Sequence, residues 1–109
     1  MKIDKFYNQT GEVAVLYSPG FGAGWSTWND EDFSEFYCQD KTLVEMALSS
    51  TEDSVVQEYI KSVTGQTHVC TLGWPAEIQF LEAGCQYRIE EYDGSESVVI
   101  NHSDLWNIA

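Results

Sequence analysis

The spacing of apolar residues changes twice along the chain. EVAVLY (residues 12–17) is nearly continuous in aliphatic and aromatic side chains and predicts a strand. KIDKFY (2–7) alternates more weakly, and Thr10-Gly11 is a turn signal, so the two runs predict an N-terminal hairpin. Ser18-Pro19-Gly20 ends the second strand, because proline cannot donate to a ladder and glycine tolerates positive φ. From residue 29 the period becomes three to four. Asn29 or Asp30 is placed to cap a helix with Glu31 and Asp32 in its first turn and Phe33, Phe36 and Tyr37 on one face. Asp40 opens a second helical run through Leu43, Val44, Met46 and Ala47. Thr51 or Ser54 opens a third through Val55, Val56, Tyr59, Ile60 and Val63, which Gly65 stops.

Beyond residue 66 the period falls back to two. THVCTL, EIQFLEA and QYRIEEY are expected to be strands, and Asp93-Gly94 joins the last of them to SESVVI through a type I′ turn. Ser103 and Asp104 are placed to cap a final turn that tucks Leu105, Trp106 and Ile108 onto the body. This order predicts an α+β fold, a mostly antiparallel sheet with two or three helices packed on one face, as a single domain over residues 1–109.

Charge narrows the function. Eighteen Asp and Glu stand against five Lys and Arg, a net charge of −13, while 14% aromatic residues rule out a disordered acidic tail. Such a chain repels nucleic-acid backbones and anionic membranes, so direct binding to either is not expected. A basic protein surface is the partner it attracts. No apolar run reaches the length of a membrane span and the N-terminus lacks a signal-peptide stretch, so a cytoplasmic protein is expected. Cys38, Cys70 and Cys85, odd in number and without a CxxC pair, fit a reducing compartment.

The stretch SPGFGAGWSTWND (18–30) sets Gly20, Gly22 and Gly24 on alternate positions between a strand and a helix, where phosphate-binding loops sit. The spacing is GxGxG, no lysine follows, and Asp30, Glu31 and Asp32 oppose an anion. A joint that packs Phe21, Trp25 and Trp28 onto the core is the favoured reading, with a nucleotide-signal site using the loop and Trp25 as the alternative. His68 and Cys70 would share one strand face, but with Cys38, Cys85 and His102 scattered no metal-ligand motif results. Cys70 with His68 or His102, and carboxylate pairs among Glu77, Glu90 and Glu91, are not diagnostic of catalysis. No enzyme, cofactor or metal is expected. The candidate site is instead a partner-binding surface made of Asp30, Glu31, Asp32, Glu35, Asp40, Glu90, Glu91, Asp93 and Glu96, with Trp25 and Trp28 as anchors. Glu52 and Asp53 add charge at the start of the third helix.

At GAGWSTWN (Gly22 to Asn29) and IEEYDGSES (Ile89 to Ser97) the chain resembles a family of small acidic proteins encoded by bacteriophages and prophages. In general character it is similar to anti-CRISPR and anti-restriction proteins. The resemblance implies an inhibitor of a host defence complex that covers a basic, nucleic-acid-binding surface; a structural phage protein is the other role it allows.

Overall fold

The structure, a computed structural model, describes residues 2–101 and 107–109. It is α+β, as the sequence predicts. Among the described residues, strands β1 (Val13–Tyr17), β2 (Glu77–Leu81), β3 (Gln86–Tyr92), β4 (Ser95–Asn101) and β5 (Asn107–Ile108) flank helices α1 (Ser34–Gln39), α2 (Lys41–Leu48) and α3 (Asp53–Thr64). The strands form two small antiparallel sheets rather than one: β1 with β2, and β4-β3-β5. Among the described residues no helix is long and apolar enough to cross a membrane.

The continuous apolar run of β1 has a direct cause. Val13 to Leu16 are all fully buried, because both faces of the strand are covered. Ala14 and Leu16 join a cluster with Phe36 and Tyr37 of α1, Leu43 and Val44 of α2, and Val56 and Ile60 of α3. Val13 and Val15 point the other way, toward Cys38, Leu81, Tyr87 and Ala109. Burying each larger aliphatic or aromatic side chain contributes about 1.5–3 kcal/mol, so β1 is where the two halves of the core are joined. Two buried acids follow that burial: desolvation pushes the Tyr37 hydroxyl and the Cys38 thiol each up to about 12.

Helix boundaries follow the predicted caps at Asp30, Asp40 and Gly65, but α3 starts at Asp53 after Glu52, which makes no side-chain cap hydrogen bond, rather than behind a Thr51 or Ser54 cap. Asp30 accepts from Asp32 N and opens a 3-10 turn, Glu31–Phe33, that leads into α1. The Asp40 carboxylate accepts from Leu43 N and caps α2. Gly65, in the left-handed region at φ 73°, ends α3.

Three expectations are corrected. Residues 2–7 are extended but carry only isolated bridges, Lys5 to Asp40 and Tyr7 to Val13, because the Asn8 side chain closes a wider turn by accepting from Thr10 N and Glu12 N. THVCTL is not a strand. The Asn29 amide takes the place of a strand partner there, accepting from Cys70 N and donating to Cys70 O at 2.9 Å each, and Gln57 donates to the Thr71 hydroxyl. His68 and Cys70 therefore do not share a strand face. Ile108 lies in β5 and is exposed; Ala109 is the residue buried at that end. The predicted cap at Ser103 and Asp104, with Leu105, Trp106 and His102, lies outside the described residues.

Candidate functional site

The type I′ turn forms as predicted, with Asp93 at φ 51° and Gly94 at φ 84°. Its consequence reaches beyond the hairpin. Gly94 is pressed against the glycine loop so closely that a Cβ there would lie 2.5 Å from Ala23 N, and Gly22 N donates to Asp93 O. Ser95 Oγ donates to Pro19 O at 2.8 Å, and Glu96 N donates to Ser18 O at 2.7 Å. The loop and the hairpin turn are hydrogen-bonded into one unit.

Glu96 sits at its centre. The side chain is 2% exposed and accepts four hydrogen bonds: from Ser18 N at 2.9 Å, Trp25 N at 2.8 Å, Thr27 N at 3.0 Å and Thr27 Oγ1 at 2.5 Å. Backbone N–H groups converging on one point make an anion-binding concavity, and here the anion belongs to the chain itself. This corrects two expectations. Glu96 is not part of a surface patch, and the Ser18, Trp25 and Thr27 amides that a phosphate would need are already taken. Trp25 is corrected as well: it is fully buried, packed against Tyr37 and Trp74, with its Nε1 donating to Tyr37 O at 2.7 Å, and it contributes to the core rather than to an interface. Asp40 is half-buried and committed to the α2 cap and to the Tyr59 hydroxyl, which donates to it at 2.7 Å.

The remaining candidates are displayed. Asp30, Glu31, Asp32, Glu35, Glu90, Glu91 and Asp93 are all exposed. Trp28, partly exposed, ties the two acidic segments together: its Nε1 donates to Glu91 Oε2 at 3.0 Å. A Cβ at Gly24 would meet the Trp28 indole, so the absence of a side chain there lets the ring lie flat and reach Glu91. That bond and a second one from Gly94 N hold the Glu91 carboxyl below its ordinary pKa. Glu31 lines a cleft of about 330 Å³ with Arg88 and Ile89 of β3, which brings it to the same side. Asp32 and Glu35 turn the other way, around a recess with Ile3 and Phe33. Of the displayed acids, Glu31 thus shares a side with β3, while Asp32 and Glu35 face a separate recess at the entrance to α1.

Two aromatic residues were not legible as site residues. Phe21, expected in the core, is 73% exposed, and Tyr92 is 78% exposed. They line one hollow of about 640 Å³ with Glu90 and Glu91. Nothing in the sequence marked them, since each immediately precedes a residue of the Gly22–Asp93 contact, which joins segments far apart in the chain. No family model matches the chain, and neither a curated protein nor a solved structure is significantly similar to it.

Proposed function

We propose that this protein acts by binding rather than by chemistry of its own, docking its acidic band on a cationic, nucleic-acid-binding surface of another protein, as a phage-encoded inhibitor of a host defence complex would. The observation that supports the reading is the Trp28–Glu91 hydrogen bond, which ties Glu91 of the hairpin to the segment that leads into the acids of residues 30–35. Fixed carboxylates are the complement of a groove whose Lys and Arg are placed to neutralise phosphates. Such a surface steers association and makes it sensitive to salt.

The test is capture of nucleic-acid-binding complexes from bacterial host lysate, repeated across a salt series. Binding is expected to fall steeply toward about 1 M salt, where the Debye length is about 3 Å. It is also expected to be lost in the Glu31→Lys, Asp32→Lys, Glu35→Lys triple variant, whose substitutions are all at exposed positions. Binding that ignores both salt and charge reversal contradicts the reading.

A further inference from the structure

The hollow beside the hairpin is built by the same contacts that lock the glycine loop. Phe21 stands on one wall because Gly22 N is bonded to Asp93 O and because Gly94 has no room for a Cβ. Tyr92 stands beside it, directly before that turn. The hollow stays open because the cross-strand partners of Tyr92 and Glu90 are small, Ser95 and Ser97. Among the described residues these two rings are the most exposed large apolar side chains, and each precedes a residue of the Gly22–Asp93 hydrogen bond. Rigid aromatic residues on a displayed surface are typical anchors of protein recognition.

The charges at the rim select the occupant. Arg88 also lines the hollow and its Nη2 donates to Glu90 Oε2 at 2.6 Å, with both side chains about half exposed. An ion pair so exposed is worth about 1 kcal/mol or less. Glu91 adds a second carboxylate and Asp93 lies at the adjoining turn, so the rim is net negative in spite of Arg88. An anion would meet these carboxylates; a cation with a flat face would meet both the rings and the acids.

We propose that the hollow between Phe21 and Tyr92 receives the guanidinium of an arginine side chain from a cationic protein partner. Arginine suits it better than lysine, because a planar, weakly hydrated guanidinium stacks on a ring while its edge donates to a carboxylate. This inference rests on the acidic-band reading and names the side chain that anchors it.

The experiment uses the full chain with fluorescein-labelled oligo-arginine and oligo-lysine peptides of equal length, read by fluorescence anisotropy at low salt. The oligo-arginine peptide is expected to bind more tightly than oligo-lysine. Phe21→Ala and Tyr92→Ala are each expected to weaken it about twofold to thirtyfold, the range for a cation–π contact between exposed and desolvated limits. Both variants keep the net charge and remove exposed rings, and thermal unfolding checks that they fold. Equal affinity for the two peptides, no binding of oligo-arginine, or unchanged affinity in both variants overturns the inference. If the ring variants bind normally while the 31/32/35 triple variant does not, the hollow falls and the acidic-band reading stands. The opposite pattern leaves guanidinium binding at the hollow but overturns the band, and with it the docking role given to the hollow.

Discussion

The Glu96 cradle and the segment from Asp30 to Glu35 carry the same kind of charge and use it in opposite ways. In the cradle a single carboxylate is buried and accepts four donors, so a loop of glycines, serine and threonine is organised from inside. In residues 30–35 the carboxylates point outward, and only Asp30 accepts a local bond, as a cap. The difference shows that acidic residues in this chain divide into those that shape the backbone and those that are displayed by it. Glu91 stands between the two. It is directly opposite Glu96 across the β3–β4 ladder, and it is exposed, yet it holds Trp28 in place. Like charges facing each other across a ladder are destabilising, and here each carboxylate has donors of its own on the sides of the ladder.

The sharpest way to break this comparison is to remove the buried acid. Glu96→Ala strands three backbone N–H groups and is expected to destabilise the protein by about 3–5 kcal/mol, since each buried donor left without its acceptor costs about 1–3 kcal/mol. Glu96→Gln, which puts a donor where an acceptor is needed, is expected to cost about 2 kcal/mol or more. Glu31→Gln, by contrast, should change stability by no more than about 0.5 kcal/mol, as exposed substitutions do. Urea unfolding of the three variants measures the difference, and equal effects at positions 96 and 31 would remove the distinction.

A smaller effect separates the glycines. Gly94→Ala combines positive φ with a Cβ lying 2.5 Å from backbone, and is expected to cost about 2–3 kcal/mol by strain and displacement of the loop. A Cβ at Gly20 would meet nothing within 4 Å, and φ there is not positive, so Gly20→Ala should be close to neutral in the same assay. The three alternating glycines are therefore not equivalent, and the glycine that matters most to the loop lies outside it, on the hairpin.

The smallest effect is electrostatic. Trp28→Phe removes the main cause of the lowered Glu91 pKa, so carboxyl-carbon NMR titration should show that pKa climbing toward the ordinary glutamate range. By linkage, a carboxylate with a depressed folded pKa lends stability above its unfolded value and loses it as pH falls through the folded one. In Trp28→Phe that contribution should be reduced to what the Gly94 N–H bond supplies, and the variant should differ least from wild type at acid pH. An unchanged Glu91 titration would separate Trp28 from the acidic face.

These contrasts also explain what was legible in the sequence. Periodicity and caps located α1, α2, α3 and the Asp-Gly hairpin, because those depend on contacts within a few residues: Asp40 with Leu43, or Gly65 at the end of α3. The displayed acids from Asp30 to Glu35 were legible for the same reason. Glu96 was not, since its donors lie 69 to 78 residues away and a carboxylate in a strand reads as solvent-facing. THVCTL has the pattern of a strand without being one, because side chains of Asn29 and Gln57, and not a neighbouring strand, satisfy it. Phe21, expected in the core with Trp25, lies at the surface because of the same kind of non-local contacts, while Trp25 packs inside as the joint reading expected.

Amide hydrogen exchange, read residue by residue by NMR, tests the internal cradle most directly. The N–H groups of Ser18, Trp25 and Thr27 should be strongly protected in the wild-type chain and should lose that protection together in Glu96→Gln, while amides in α2 keep theirs. If those three exchange as rapidly as Gly20 in the wild-type protein, the loop is not closed on its own carboxylate, and its donors are free to take an anion from solution.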